Sequence, residues 1–119
     1  MSVRRALTAM MLAPVAALAQ PAALSPAEKT GFAGRVESCW TLAQGVDPRV
    51  TLRFAMTPDG RPVADSFVVV GTAAQTAFEA ARRAVLRCAR AGYDLPKDRY
   101  DAWDLIEITF TADGIGAMS

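Results

Sequence analysis

An α+β domain, with a small three-stranded antiparallel sheet and two helices packed on one face, is the fold class that this sequence predicts. Three observations carry it. The stretches 24–45 and 71–92 place apolar residues at helical spacing behind capping signals. Between them, residues 50–70 alternate in strand fashion around Pro58-Asp59-Gly60. Near the C-terminus, Ile106, Ile108 and Phe110 alternate with Glu107 and Thr109, the period of a strand with one buried face. The element order is α-β-β-α-β.

Residues 1–19 stand apart from this unit. A basic start (Arg4, Arg5), an apolar run from Ala6 to Ala19 and the small-residue end Ala17-Leu18-Ala19 form the three-part layout of a cleaved secretory signal. The run is interrupted by Pro14 and is short against the roughly 20 residues needed to span a bilayer as a helix. An uncleaved anchor is therefore the weaker alternative. Arg4-Arg5 hints at twin-arginine export, although the residues after the pair fit that signal poorly. Cleavage after Ala19 leaves Gln20–Ser119, the length of one small domain. Of 13 basic residues, losing Arg4 and Arg5 leaves 11 against 12 acidic ones, a net of −1. That balance offers no electrostatic footprint for nucleic acid or anionic lipid. No later segment is apolar and long enough for stable membrane insertion, so the expected product is a soluble protein outside the cytoplasm.

The first helix opens with Ser25 as N-cap, Pro26 at the first helical position and Glu28 three residues beyond the cap, a capping box. Phe32, Val36, Cys39, Trp40 and Ala43 form its apolar stripe. Gly31 and Gly34 weaken the early turns by about 1 kcal/mol each. Residues 20–34 are thus expected as a short segment and a frayed helix start, with the domain proper at 35–112 and a tail at 113–119. In the hairpin, Val50, Leu52, Phe54 and Met56 alternate with Thr51, Arg53 and Ala55, and the return strand runs from Arg61 to Val70. Pro62 restricts that strand's start to an edge or strand end. The second helix is expected to be capped by Thr72 with Gln75, to turn Phe78, Ala81, Val85 and Cys88 inward and to stop at Gly92. Arg83, Arg87 and Arg90 form a solvated row on another face. A lead-in containing Pro96, Tyr100 and Trp103 precedes the last strand, Leu105–Thr111. Placing that strand beside the first gives the order 2-1-3 with a right-handed crossover. The outer edge of Leu105, Ile106, Glu107, Ile108, Thr109, Phe110 and Thr111 is then open.

Catalytic chemistry is poorly supplied. The sequence has no histidine, the commonest general base and metal ligand. Asp98, Asp101 and Asp104 read as a solvated acidic turn interleaved with Lys97 and Arg99, and they lack the calcium-loop pattern. There is no nucleophile elbow, Walker or dinucleotide-binding pattern, and no cofactor is expected. Trp40, Tyr100 and Trp103 suit core and lid packing better than a ligand-stacking box. Cys39 and Cys88, the only cysteines, are either two small core residues or a disulfide between the helices. Export to an oxidising compartment favours the disulfide, and the lack of a C-x-x-C counts against a redox-active pair.

Taken together, "CW" at Cys39-Trp40, "LRFAMTPDG" at 52–60, a helix ending "AVLRC" and "LPKDRYDAWDLIEITF" at 95–110 resemble the C-terminal domain of TolA and its TonB-like relatives. The match covers about Glu37 to Phe110. The resemblance implies an α+β periplasmic domain of the Tol–Pal envelope system that binds extended peptides, such as the N-terminal segment of TolB, by strand addition. It also implies the family variant in which cysteines at Cys39 and Cys88 pair the two helices. TolA proper begins with a membrane anchor and a long stalk, whereas a cleavable signal precedes the domain here, so coupling to the inner-membrane motor in cis is not carried over. The expectation is a non-enzymatic interaction module receiving its peptide on Leu105–Thr111. The alternative is a TonB-like domain that self-associates as a homodimer, or an envelope accessory without a peptide ligand.

Overall fold

The structure is a computed structural model, and it describes residues 23–42 and 44–119. The expected signal segment 1–19 and the stripe position Ala43 lie outside the described residues. The elements are α1 (Pro26–Ser38), β1 (Val50–Ala55), β2 (Val68–Val69), α2 (Gln75–Arg87), a 3-10 segment (Lys97–Ala102), β3 (Leu105–Thr111) and β4 (Gly114–Met118). The sheet is antiparallel throughout, with strand order β2-β1-β3-β4 and both main helices packed on it.

Helix α1 starts where the capping box places it. The Ser25 hydroxyl accepts the Glu28 N–H at 3.1 Å, and the Glu28 carboxylate accepts the Ser25 N–H at 2.7 Å. Its first half is part of the packed unit and not a frayed lead, because Leu24, Phe32 and Val36 are all buried in the core. Those contacts and the cap offset the weakness introduced by Gly31 and Gly34. The packed unit accordingly begins near Leu24, ahead of the expected boundary at residue 35.

In β1, Val50, Leu52 and Phe54 point into the core while Arg53 is exposed. The return strand is much shorter than the expected Arg61–Val70. Pro62 has no N–H to donate, and it meets Met56 only in an isolated bridge. The Ala55 N–H then goes to the Ser66 hydroxyl at 2.9 Å, so a side chain interrupts the ladder. Regular pairing resumes only at Val68 opposite Arg53 and Val69 opposite Leu52. The intervening loop delivers the Phe67 ring onto Phe54, with centroids 4.6 Å apart.

The hairpin tip docks on the end of α2. Arg61 donates from Nη1 to the carbonyls of Arg90 and Ala89, at 2.8 and 3.3 Å, and the Tyr93 N–H bonds the Gly60 carbonyl at 2.7 Å. Gly60 has φ +85°, and a Cβ there would lie 2.4 Å from the Tyr93 carbonyl oxygen, so only glycine fits. Helix α2 begins later than its sequence signal. Ala74 is the N-cap, without a side-chain hydrogen bond, and Thr72 lies in the extended approach after Gly71 (φ +81°). Its buried face is mainly alanine (Ala77, Ala80, Ala81, Ala84) with Val85, while Phe78 is half-buried. Arg83, Arg87 and Arg90 are exposed. Tyr93 fills the gap between the helices, its ring tilted 37° against Phe32 with centroids 4.4 Å apart and its hydroxyl donating to the Val85 carbonyl at 2.7 Å. Burial pushes its phenol well above the ordinary tyrosine range.

Cys39 and Cys88 are joined in a disulfide, with Cα atoms 5.9 Å apart. Each is the C-cap residue of its helix, so the bond ties the two helix ends together. Among the described residues no helix is long and apolar enough to cross a membrane.

Candidate functional site

The lead-in to β3 is fixed from three sides. The Pro96 carbonyl accepts the Trp103 indole N–H at 2.8 Å and the Arg99 N–H at 3.1 Å. Trp103 is fully buried and meets Tyr100 edge-on at 4.9 Å, while the Tyr100 hydroxyl donates to the Met56 carbonyl at 2.5 Å. Arg99 reaches back to α1, donating to both Glu28 oxygens at 2.6 and 3.2 Å and to the Ala23 carbonyl at 3.0 Å. Those donors, with the Ser25 N–H, hold the Glu28 carboxyl below the usual carboxylate range. Trp40 does not join this group; it packs against Phe110 at 5.2 Å.

The lead-in delivers β3 to the middle of the sheet and not to its edge. Ile106, Ile108 and Phe110 are buried, Leu105 is 55% exposed, and the outward row carries Glu107, Thr109 and Thr111. Glu107 pairs with Arg53 at 2.9 Å, and the Thr109 hydroxyl meets that of Thr51 at 2.9 Å. On its other side β3 pairs with β4 from Ile108 to Thr111. Glu107 and Ser119 exchange both main-chain hydrogen bonds at 2.8 Å. The expected open edge at Leu105–Thr111 is therefore corrected: from Glu107 to Thr111 that edge is paired within the chain. The residues expected as a tail, 113–119, supply the strand that does it.

The signal for β4 is Asp113-Gly114, a dipeptide common in hairpin turns. The strand itself, Gly114-Ile115-Gly116-Ala117-Met118, has two glycines and no apolar alternation, so its period is invisible in sequence. Gly116 has no partner in the β3 register and forms the irregularity opposite Thr109 and Phe110.

With β4 in place, the sheet edges are β2 and β4. Beside the outer edge of β4 runs a groove of about 300 Å³, lined on one wall by Pro26, Lys29, Thr30 and Ala33 of α1 and on the other by residues 115–118. In an antiparallel ladder, hydrogen-bonded pairs alternate with pairs whose main-chain groups point away. Ser119 is hydrogen-bonded to Glu107, so Met118, opposite Ile108, turns its N–H and C=O outward into the groove. At the far end, the Ile115 N–H is already taken by Glu37 Oε1 at 3.2 Å. The open stretch is thus short, with one end closed. Among the described residues no group of three or more histidine, cysteine or acidic side chains is arranged to hold a metal ion.

Fold and site define a small α+β domain with disulfide-linked helices and a groove along one sheet edge. Comparison with protein-family models, curated proteins and solved structures finds no match to the chain.

Proposed function

We propose that this chain is a periplasmic protein-interaction module of the TolA C-terminal type, which takes an extended peptide, such as the N-terminal segment of a TolB-like protein, by strand addition within the Tol–Pal envelope system. The observation that supports this reading most is the outward N–H and C=O of Met118 beside a groove of about 300 Å³. An added strand draws affinity from main-chain bonds and selectivity from the side chains flanking it. Here one rank of its side chains would face Pro26, Thr30 and Ala33, and the other the open sheet face with Thr109 and Ala117. The receiving strand in this proposal is β4. The disulfide suits the oxidising compartment to which the proposed signal would send the chain. The absence of histidine from the sequence favours a binding role over acid–base catalysis.

The test is a titration of the purified protein with TolB-type N-terminal peptides, following backbone amide shifts and the mass in solution. Shifts at 116–119 and 29–33, with a one-to-one complex, are the expected outcome. Shifts confined to 61–70 would assign the peptide to β2. A doubled mass with no peptide binding would favour the self-associating alternative, since exposed strands also pair with their own copies.

A further inference from the structure

The groove beside β4 carries charge in a pattern that bears on which peptides fit it. Lys29 stands half-buried in the first turn of α1, on the groove wall. It belongs to none of the ion pairs among the described residues. A cation in a helix's first turn opposes the macrodipole, which favours negative charge there. Neighbouring Glu28 does not compensate, because Arg99 holds both of its oxygens. Glu37, two turns further along α1, puts a carboxylate at the Gly114–Ile115 end of β4. The groove thus offers a cation where the Met118 groups are open and an anion where the edge is closed.

We infer that the groove is selective for an extended peptide carrying one aspartate or glutamate, whose carboxylate pairs with Lys29 while its main chain bonds Met118. The inference rests on the strand-addition reading and adds the chemistry of the partner. Strand side chains alternate in direction, so an acid facing Lys29 has neighbours two residues away facing Pro26, Thr30 or Ala33, surfaces that suit small or β-branched residues. An acid placed at the other end would meet Glu37. Position, and not only net charge, therefore governs affinity.

Random ten-residue peptides displayed on phage and selected on the purified protein provide the probe, and anisotropy of a labelled selected peptide provides the measurement. Selected peptides should share one acidic position among small and β-branched residues. Replacing that acid by lysine should weaken binding roughly fivefold, as should Lys29→Glu, and the two changes together should restore it in part. Met118→Pro deletes the outward N–H and should abolish binding of every selected peptide. Because proline can also unpick β4, amide shifts at Lys29 and Met118 of the unaltered protein serve as the second reading. If Met118 responds but Lys29→Glu leaves acidic peptides bound as tightly as before, strand addition stands and the charge selectivity is overturned. If no peptide is selected, or shifts fall away from Met118, the strand-addition reading fails and this inference with it.

Discussion

Glu107 and Ser119 exchange both of their main-chain hydrogen bonds, each 2.8 Å long. That pair decides where the domain can accept another strand. It consumes the outward groups of Glu107 and, by the alternation of an antiparallel ladder, turns those of the next residue, Met118, toward the groove beside α1. A sheet that would end at β3 instead ends one strand further out, where a helix wall is within reach.

Removal of residues 113–119 should expose the β3 edge. The loss comprises the β3–β4 main-chain bonds, each worth about 0.5–1.5 kcal/mol net, together with the half-buried side chains of Ile115 and Met118. A destabilisation of about 2–4 kcal/mol is expected, accompanied by concentration-dependent association through the bared strand. Thermal melts and sedimentation of the truncated chain measure both. A variant that melts like the parent and stays monomeric would mean that β4 contributes little.

Gly114 is required on two grounds at once. Its φ is +115°, and a Cβ would sit 2.8 Å from Glu37 Oε1. Gly114→Ala should cost about 1–3 kcal/mol, from the backbone conformation and the contact together. Combining it with Glu37→Ala removes the contact but not the backbone penalty, so the double variant should lose less than the two single losses added. Strict additivity in chemical denaturation would show that the carboxylate does not press on this position.

The disulfide joins two helix C-caps across a sequence separation of 49 residues. On the chain-entropy model, closing a loop of that length contributes about 4 kcal/mol. Replacing both Cys39 and Cys88 by serine should lower stability by that order, and alkylation of the intact protein should label no thiol. Recovery of two labelled thiols from the intact protein would remove the disulfide from the account of its stability.

Local signals were the legible ones. Ser25, Pro26 and Glu28 define the α1 start because the capping bonds between Ser25 and Glu28 lie within one turn. The Pro58-Asp59-Gly60 turn is legible for the same reason, whereas the cysteine pair, 49 residues apart, is legible only because the sequence holds two cysteines. Tertiary contacts decided the rest. Thr72 looks like a cap but lies in the extended approach, because Gly71 turns the chain and the helix begins only after Ala74. The inward face of α2 is mostly alanine, whose small side chains give little periodic contrast beside Phe78. Ser66 ends the return strand's ladder with a hydroxyl, which no strand period encodes. The groove was hidden for a related reason: β4 is held by register and main-chain bonds, with few apolar side chains to announce it.

The Arg99–Glu28 pair gives stability a pH dependence whose direction follows from the carboxylate. Arg99 is the largest cause of the lowered Glu28 pKa, followed by the Ser25 N–H, so the folded state binds this proton less readily than the unfolded chain does. The stabilisation is therefore present above the unfolded carboxyl value, about 4.3, and is lost as pH falls through the lower folded value. Arg99→Ala should melt below the parent at pH 7, because it releases Glu28 and the Ala23 carbonyl together. Below about pH 4.3 the gap should narrow as Glu28 protonates in the parent. It should not vanish, since the bond to Ala23 carries no titrating group. Both pair members are partly exposed, with side chains 33% and 28% accessible, so salt should also shrink the gap at pH 7. Melting temperatures of parent and variant at pH 7, 5, 4 and 3 test the argument. A gap that stays constant across that range would show that Arg99 acts on the lead-in through its neutral contacts and not through Glu28.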